Sequence, residues 1–117
     1  MQVLSGEQIQ YFQQLIRRVP VTNNVVEYAV RLVQKTRPRS GQAAQAANDY
    51  LEWGAGPRAS QALILTAKCN ALLTGKYSPD IEDVRQTAKA VLRHRIVRNF
   101  KAEAEGISVD QIIERLI

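Results

Sequence analysis

The sequence predicts an all-α fold, a small bundle of four or five helices with little or no sheet. Three observations carry this prediction. Apolar residues recur at intervals of three and four through most segments, the spacing of one helix face. Ser5 with Gln8, and Ser108 with Gln111, have the pattern of a capping box, in which each side chain bonds the other residue's backbone N–H. Proline and glycine punctuate the chain at Pro20, Pro38, Gly41, Pro57, Gly75, Pro79 and Gly106, between the periodic segments rather than within them.

The first helix is expected from Ser5, with Leu4 and Ile9 as a hydrophobic staple and Ile9, Phe12, Leu15, Ile16 and Val19 along its apolar face. Pro20 ends it, because the residue before a proline resists the α region. A second helix is expected from Thr22 or Asn23 to about Thr36. Val26, Ala29, Val30 and Val33 form its buried stripe, with Glu27 and Arg31 on the outside at i,i+4 spacing. Residues 42–52 are rich in alanine and glutamine, and their pattern leaves a weak helix and an ordered loop equally open.

Pro57 suits the first position of a long apolar helix running to about Thr74, where Gly75 supplies a stop and Lys76 complements the carbonyl end. The next helix is expected to be capped by Ser78, with Pro79 in its first position and Asp80, Glu82 and Asp83 favouring its dipole. Ile81, Val84, Ala88, Val91 and Leu92 form its apolar face. Residues 95–100 suit a short extended piece and Lys101 to Glu105 a helical turn closed by Gly106. The last helix, Val109 to Leu116, buries Val109, Ile112, Ile113 and Leu116.

A chain of 117 residues suggests one domain, residues 1–117, with a modest core. Its 45% hydrophobic content argues against wholesale disorder. No apolar run approaches the roughly 18 residues of a membrane span, and no signal-peptide core opens the chain. The single cysteine, Cys69, cannot staple the fold, and its place among alanines and leucines suits a small buried residue. These features together predict a cytoplasmic location. The net charge of +5 is concentrated in residues 31–39 and 93–98, which would suit a nucleotide or nucleic acid, although solvated helix faces give the same count.

No phosphate-cradling glycine loop occurs, and no apolar strand ends in paired acidic residues that could hold magnesium. No serine, cysteine or carboxylate pair is presented with a histidine base. His94, flanked by arginines, suits a structural or surface role, and Asp80, Glu82 and Asp83 are more simply dipole-matching residues than metal ligands. No catalytic residue and no metal site is therefore expected in this chain. Arg58 remains. It places a guanidinium beside backbone N–H groups at a helix start, where a cation is unfavourable unless an anion arrives, and its planar fork suits a phosphate.

Gly54-Ala55-Gly56-Pro57-Arg58-Ala59-Ser60, then Tyr77-Ser78-Pro79-Asp80-Ile81-Glu82-Asp83-Val84, then Ala90-Val91-Leu92-Arg93-His94-Arg95, then Ala102 to Ser108, follow one another in an order that resembles the C-terminal lid domain of MoxR-type AAA+ ATPases. The resemblance runs from about Val3 to Ile117. It implies a lid that follows a P-loop core absent from this chain, and a whole protein that binds and hydrolyses ATP with Mg2+. It implies ring oligomers, often hexamers, acting as chaperone-like remodellers of client proteins, with the P-loop core and neighbouring subunits as partners. On this resemblance Arg58 is the sensor 2 arginine that contacts bound ATP, carried by the turn of Gly54, Gly56 and Pro57. Many members have serine where Gly56 stands. Arg93 and Arg95 match a recurring segment and take structural, interdomain or nucleotide-proximal roles. The alternatives from other classes are a free-standing helical DNA-binding module and a protein-interaction bundle.

Overall fold

The computed structural model describes residues 5–117. At its start the capping box forms: the Gln8 N–H donates to Ser5 Oγ at 3.2 Å and the Ser5 N–H to Gln8 Oε1 at 2.9 Å. The staple that Leu4 would make with Ile9 lies outside the described residues. Helix α1 (Gly6–Arg18) ends at Val19, whose extended backbone meets the steric demand of Pro20. None of its residues is buried, and Ile9 and Phe12 on its apolar face each remain 44% exposed.

Helix α2 (Asn23–Lys35) is turned from the expected stripe. Val25, Ala29, Leu32 and Val33 are buried, Val26 is half-buried and Val30 is exposed. The helix carries apolar residues on more than one side, so periodicity alone could not choose the inward ridge. Packing against the two longest of the helices that follow, α4 (Arg58–Leu73) and α5 (Ile81–Leu92), does so.

Residues 42–52 resolve into a short helix, α3 (Gln45–Tyr50), running directly into β1 (Leu51–Trp53). Strand β1 pairs antiparallel with β2 (Val97–Arg98), matching Leu51 with Arg98 and Trp53 with Val97 across an irregularity in register. This ribbon is the small sheet of the described residues.

Helix α4 (Arg58–Leu73) is the centre of the fold. Ala59, Leu63, Ala67 and Ala71 lie on one buried face, and three alanines there let neighbouring backbones come close. It ends in a Schellman arrangement: Gly75, at φ 81, donates its N–H to the Leu72 carbonyl at 3.1 Å and Lys76 donates to Ala71 at 2.8 Å. Cys69 is only half-buried on this helix, beside Phe12, Leu15 and Ile16 of α1, because α1 lies over it loosely.

Helix α5 (Ile81–Leu92) begins two residues later than the Ser78 cap predicts. Asp80 is the cap, accepting from the Asp83 N–H at 3.0 Å, while Asp83 accepts from the Asp80 N–H at 2.8 Å. Asp83 is 1% exposed and also accepts from Asn70 Nδ2 (2.8 Å) and Lys76 Nζ (2.9 Å). Burial alone would raise its carboxyl pKa. The bonds from the Asp80 backbone, Lys76 and Asn70 outweigh burial and hold it below the ordinary carboxylate value.

Two further helices complete the chain, α6 (Phe100–Glu105) and α7 (Val109–Leu116). Asn99 caps α6 and donates Nδ2 to the Asp49 carbonyl at 2.8 Å, tying α6 to α3. The Ser108 and Gln111 capping box opens α7, which buries Ile112, Ile113 and Leu116, with Val109 half-buried. The described residues therefore form an all-α bundle of seven helices, two of them only six residues long. Among them no helix is long and apolar enough to cross a membrane.

Candidate functional site

The turn that leads into α4 is fastened from below by the end of α2. Thr36, fully buried, accepts the Ala55 N–H on Oγ1 at 2.9 Å and donates its own hydroxyl to the Val33 carbonyl at 2.6 Å. Arg37 donates Nε to the Ala55 carbonyl at 3.0 Å. Gly54 packs directly on this corner, and a Cβ there would stand 2.3 Å from the Thr36 carbonyl oxygen. Gly56 faces open space, so a serine at that position meets no steric objection.

Pro57 already has helical angles, φ −59 and ψ −30, as its ring requires. The Ala59 and Ser60 N–H groups bond back to the carbonyls of Gly56 (3.0 Å) and Pro57 (3.2 Å). Those two donors of the helix start are thus taken within the chain. Arg58 is exposed. Among the described residues its guanidinium has neither an ion-pair partner nor a hydrogen-bond acceptor.

The other arginines near this end are engaged. Arg93 grips Asp110 of α7 with both prongs of its fork, Nε to Oδ1 at 2.9 Å and Nη2 to Oδ2 at 3.0 Å. Through that bond Arg93 lowers the pKa of the Asp110 carboxyl. Arg95 caps the end of α5 by donating to the Val91 carbonyl at 2.8 Å, and Arg98 reaches the Ile107 carbonyl at 2.9 Å. Arg39 takes a left-handed backbone at φ 67, held by its N–H to Asn48 Oδ1 (2.7 Å) and a side-chain bond to the Glu52 carbonyl (3.4 Å).

The β1–β2 ribbon brings the segment holding Arg93 and Arg95 to the same end of the molecule as the Gly54–Arg58 turn. His94 is exposed there. Among the described residues no group of three or more histidines, cysteines or carboxylates is placed to hold a metal ion. The sequence singled out Gly54, Gly56, Pro57 and Arg58 but not Thr36 and Arg37, whose contacts with Ala55 span 19 and 18 residues. A threonine and arginine just beyond a helix end were the only local signal.

The described residues form a small helical bundle whose longest helix opens on an exposed, unpaired arginine at a fastened turn. The AAA lid domain family matches residues 43–116, and the chain belongs to that family. Residues outside the match are covered by individual relatives. The chain is 32% identical over 116 residues to Chaperone MoxR1 of Mycobacterium tuberculosis, covering 99% of this chain and 31% of that protein. It is 28% identical over 115 residues to the uncharacterized protein YeaC of Bacillus subtilis, covering 98% of this chain and 33% of that one. The crystal structure of a candidate ATPase from Cytophaga hutchinsonii superposes with a TM-score of 0.85 at 33% identity, over 94% of this chain and 33% of that one. The chain is a MoxR-like AAA+ lid domain, and it spans about a third of the length of the proteins it matches. These likenesses favour the lid over the DNA-binding and interaction-bundle alternatives.

Proposed function

We propose that this lid serves a P-loop ATPase core in the same longer protein, with Arg58 as the sensor 2 contact to the γ-phosphate of ATP. The single observation that carries the reading is the state of Arg58. It stands exposed at the start of α4 with no ion-pair or hydrogen-bond partner among the described residues, while Arg37, Arg39, Arg93, Arg95 and Arg98 are held by acceptors within the chain.

A guanidinium left in water at the positive end of a helix dipole gains when an anion arrives. Hydrolysis and release of the γ-phosphate remove that partner, and α4 carries the loss to the elements packed on it. The core would supply ATP and Mg2+, and this chain contributes one charge and a lever. Assembly into a ring, commonly a hexamer, and chaperone-like action on a client protein extend the same reading, supported by the likeness to the M. tuberculosis chaperone. Gly54, Gly56 and Pro57 shape the turn. Arg93 and Arg95 act structurally, at the end of the lid from which Arg58 projects. A cytoplasmic location fits this reading.

The test is ATP turnover by a protein carrying this lid with its P-loop core. A charge-assisted hydrogen bond of roughly 1.5–3 kcal/mol predicts that Arg58→Ala slows hydrolysis by about 10- to 100-fold. The isolated lid should unfold at the wild-type temperature in that variant, because Arg58 takes no part in the core. Wild-type turnover in Arg58→Ala would contradict the role.

A further inference from the structure

Ala55 has both of its backbone polar groups satisfied by side chains from one neighbouring corner of the fold. Its N–H goes to Thr36 Oγ1 and its carbonyl accepts from Arg37 Nε. The Thr36 hydroxyl proton is already committed to the Val33 carbonyl, which leaves a lone pair aimed at Ala55. Thr36 and Ala55 are both buried, so no solvent can replace that acceptor. The Gly54 backbone lies on the same corner with no room for a side chain. Between Ala55 and Arg58 stand only Gly56 and Pro57, whose ring fixes φ, and the Ala59 N–H returns to the Gly56 carbonyl at 3.0 Å.

We propose that Thr36 and Arg37 are positioning residues: they clamp the turn before α4 and so set the direction in which Arg58 is presented, coupling the end of α2 to the start of α4. The functional meaning of the clamp rests on the phosphate-contact reading of Arg58, while the clamp itself is a property of this chain. An isosteric Thr36→Val keeps the packing and removes the acceptor. Thr36→Ser keeps the acceptor. Arg37→Met keeps the aliphatic stem and removes the donor, at a residue exposed enough not to threaten the fold.

The experiment is amide hydrogen exchange and backbone relaxation on the 117-residue chain and these three variants. Expected is a rise of about tenfold or more in Ala55 exchange in Thr36→Val, with the Leu63 amide unchanged and protection recovered in Thr36→Ser. The Arg58 amide order parameter should fall from the rigid range near 0.85 in both Thr36→Val and Arg37→Met. Unchanged Ala55 exchange and Arg58 order in the variants overturn the clamp, and so does an equal rise at Leu63, which would mark a general loss of stability. If Thr36→Val does not fold, Arg37→Met decides by the Arg58 order parameter, with an unchanged value overturning the clamp. Turnover of the lid joined to its core separates the two ideas. Unimpaired hydrolysis in Arg58→Ala removes the phosphate reading and leaves the clamp standing on its exchange data. Slow hydrolysis in Arg58→Ala with normal hydrolysis in both Thr36→Val and Arg37→Met overturns the positioning role.

Discussion

Gly54 and Gly56 flank one alanine in the same turn and face opposite constraints. A methyl group at Gly54 would meet the Thr36 carbonyl oxygen at 2.3 Å and the Arg37 Cα at 2.7 Å, and backbone atoms cannot swing aside as a long side chain can. At Gly56 a Cβ meets nothing within 4 Å. Gly54→Ala should therefore cost about 1–3 kcal/mol, as overpacking does, and Gly56→Ser should stay within about 0.5 kcal/mol of wild type. Thermal unfolding of the two variants checks this, and equal midpoints would refute the close approach. Arg58 is a different kind of residue, since its value lies outside the fold. No hydrogen bond or ion pair from the described residues holds its side chain, so its substitution should be silent in stability and visible only where a phosphate is present.

The start of α5 shows how an element records its environment. Asp83 is buried yet ionised, because the Asp80 N–H, Lys76 and Asn70 converge on it. Its folded pKa lies below the unfolded value of about 3.9, so its contribution to stability is complete above that value and is lost as pH falls through the folded pKa. Chemical denaturation followed from neutral pH down through pH 4 should show stability falling on the acid side, with a shallower fall in Asp83→Asn. An unchanged acid slope in that variant would mean the loss comes from other carboxylates, Asp110 first among them.

Such local features also decide what was legible in the sequence. The Ser5 and Ser108 capping boxes are contacts three residues apart, and both formed as the pattern predicts. At α5 three adjacent residues could cap or open the helix, and the choice fell to Asp80 because Asp83 reaches back to it. Residues 42–52 resisted reading because their structure comes from distant partners: Leu51 is buried beneath the fold, and Asn99 ties Asp49 and Tyr50 to α6. The cations of Lys101 and Arg115 also lie over the Tyr50 ring, at 5.4 and 5.3 Å from its centre. Of the site, the glycine, proline and arginine could be read locally. The Thr36 and Arg37 contacts could not, since they exist only once α2 and α4 have packed.

At the scale of the whole molecule the lid is a flat slab, 46 × 34 × 20 Å, with a radius of gyration of 15.7 Å. A compact chain of this length would have a radius near 13 Å. The slab is built around α4, sixteen residues long and so roughly 24 Å from end to end, with α1, α2 and α5 packed against it. A pull or release at Arg58 therefore acts at the end of an element against which α1, α2 and α5 are all packed. That arrangement suits a lever whose tip senses one phosphate group.

In the proposed role Arg58 distinguishes nucleotides by the γ-phosphate alone. The direct measurement is the affinity of a protein carrying this lid and its P-loop core for a non-hydrolysable ATP analogue and for ADP, with Arg58 and with Arg58→Ala. The variant should bind the triphosphate analogue about 10- to 100-fold more weakly and ADP within about twofold of wild type. Equal losses for both nucleotides, or none for either, would contradict it.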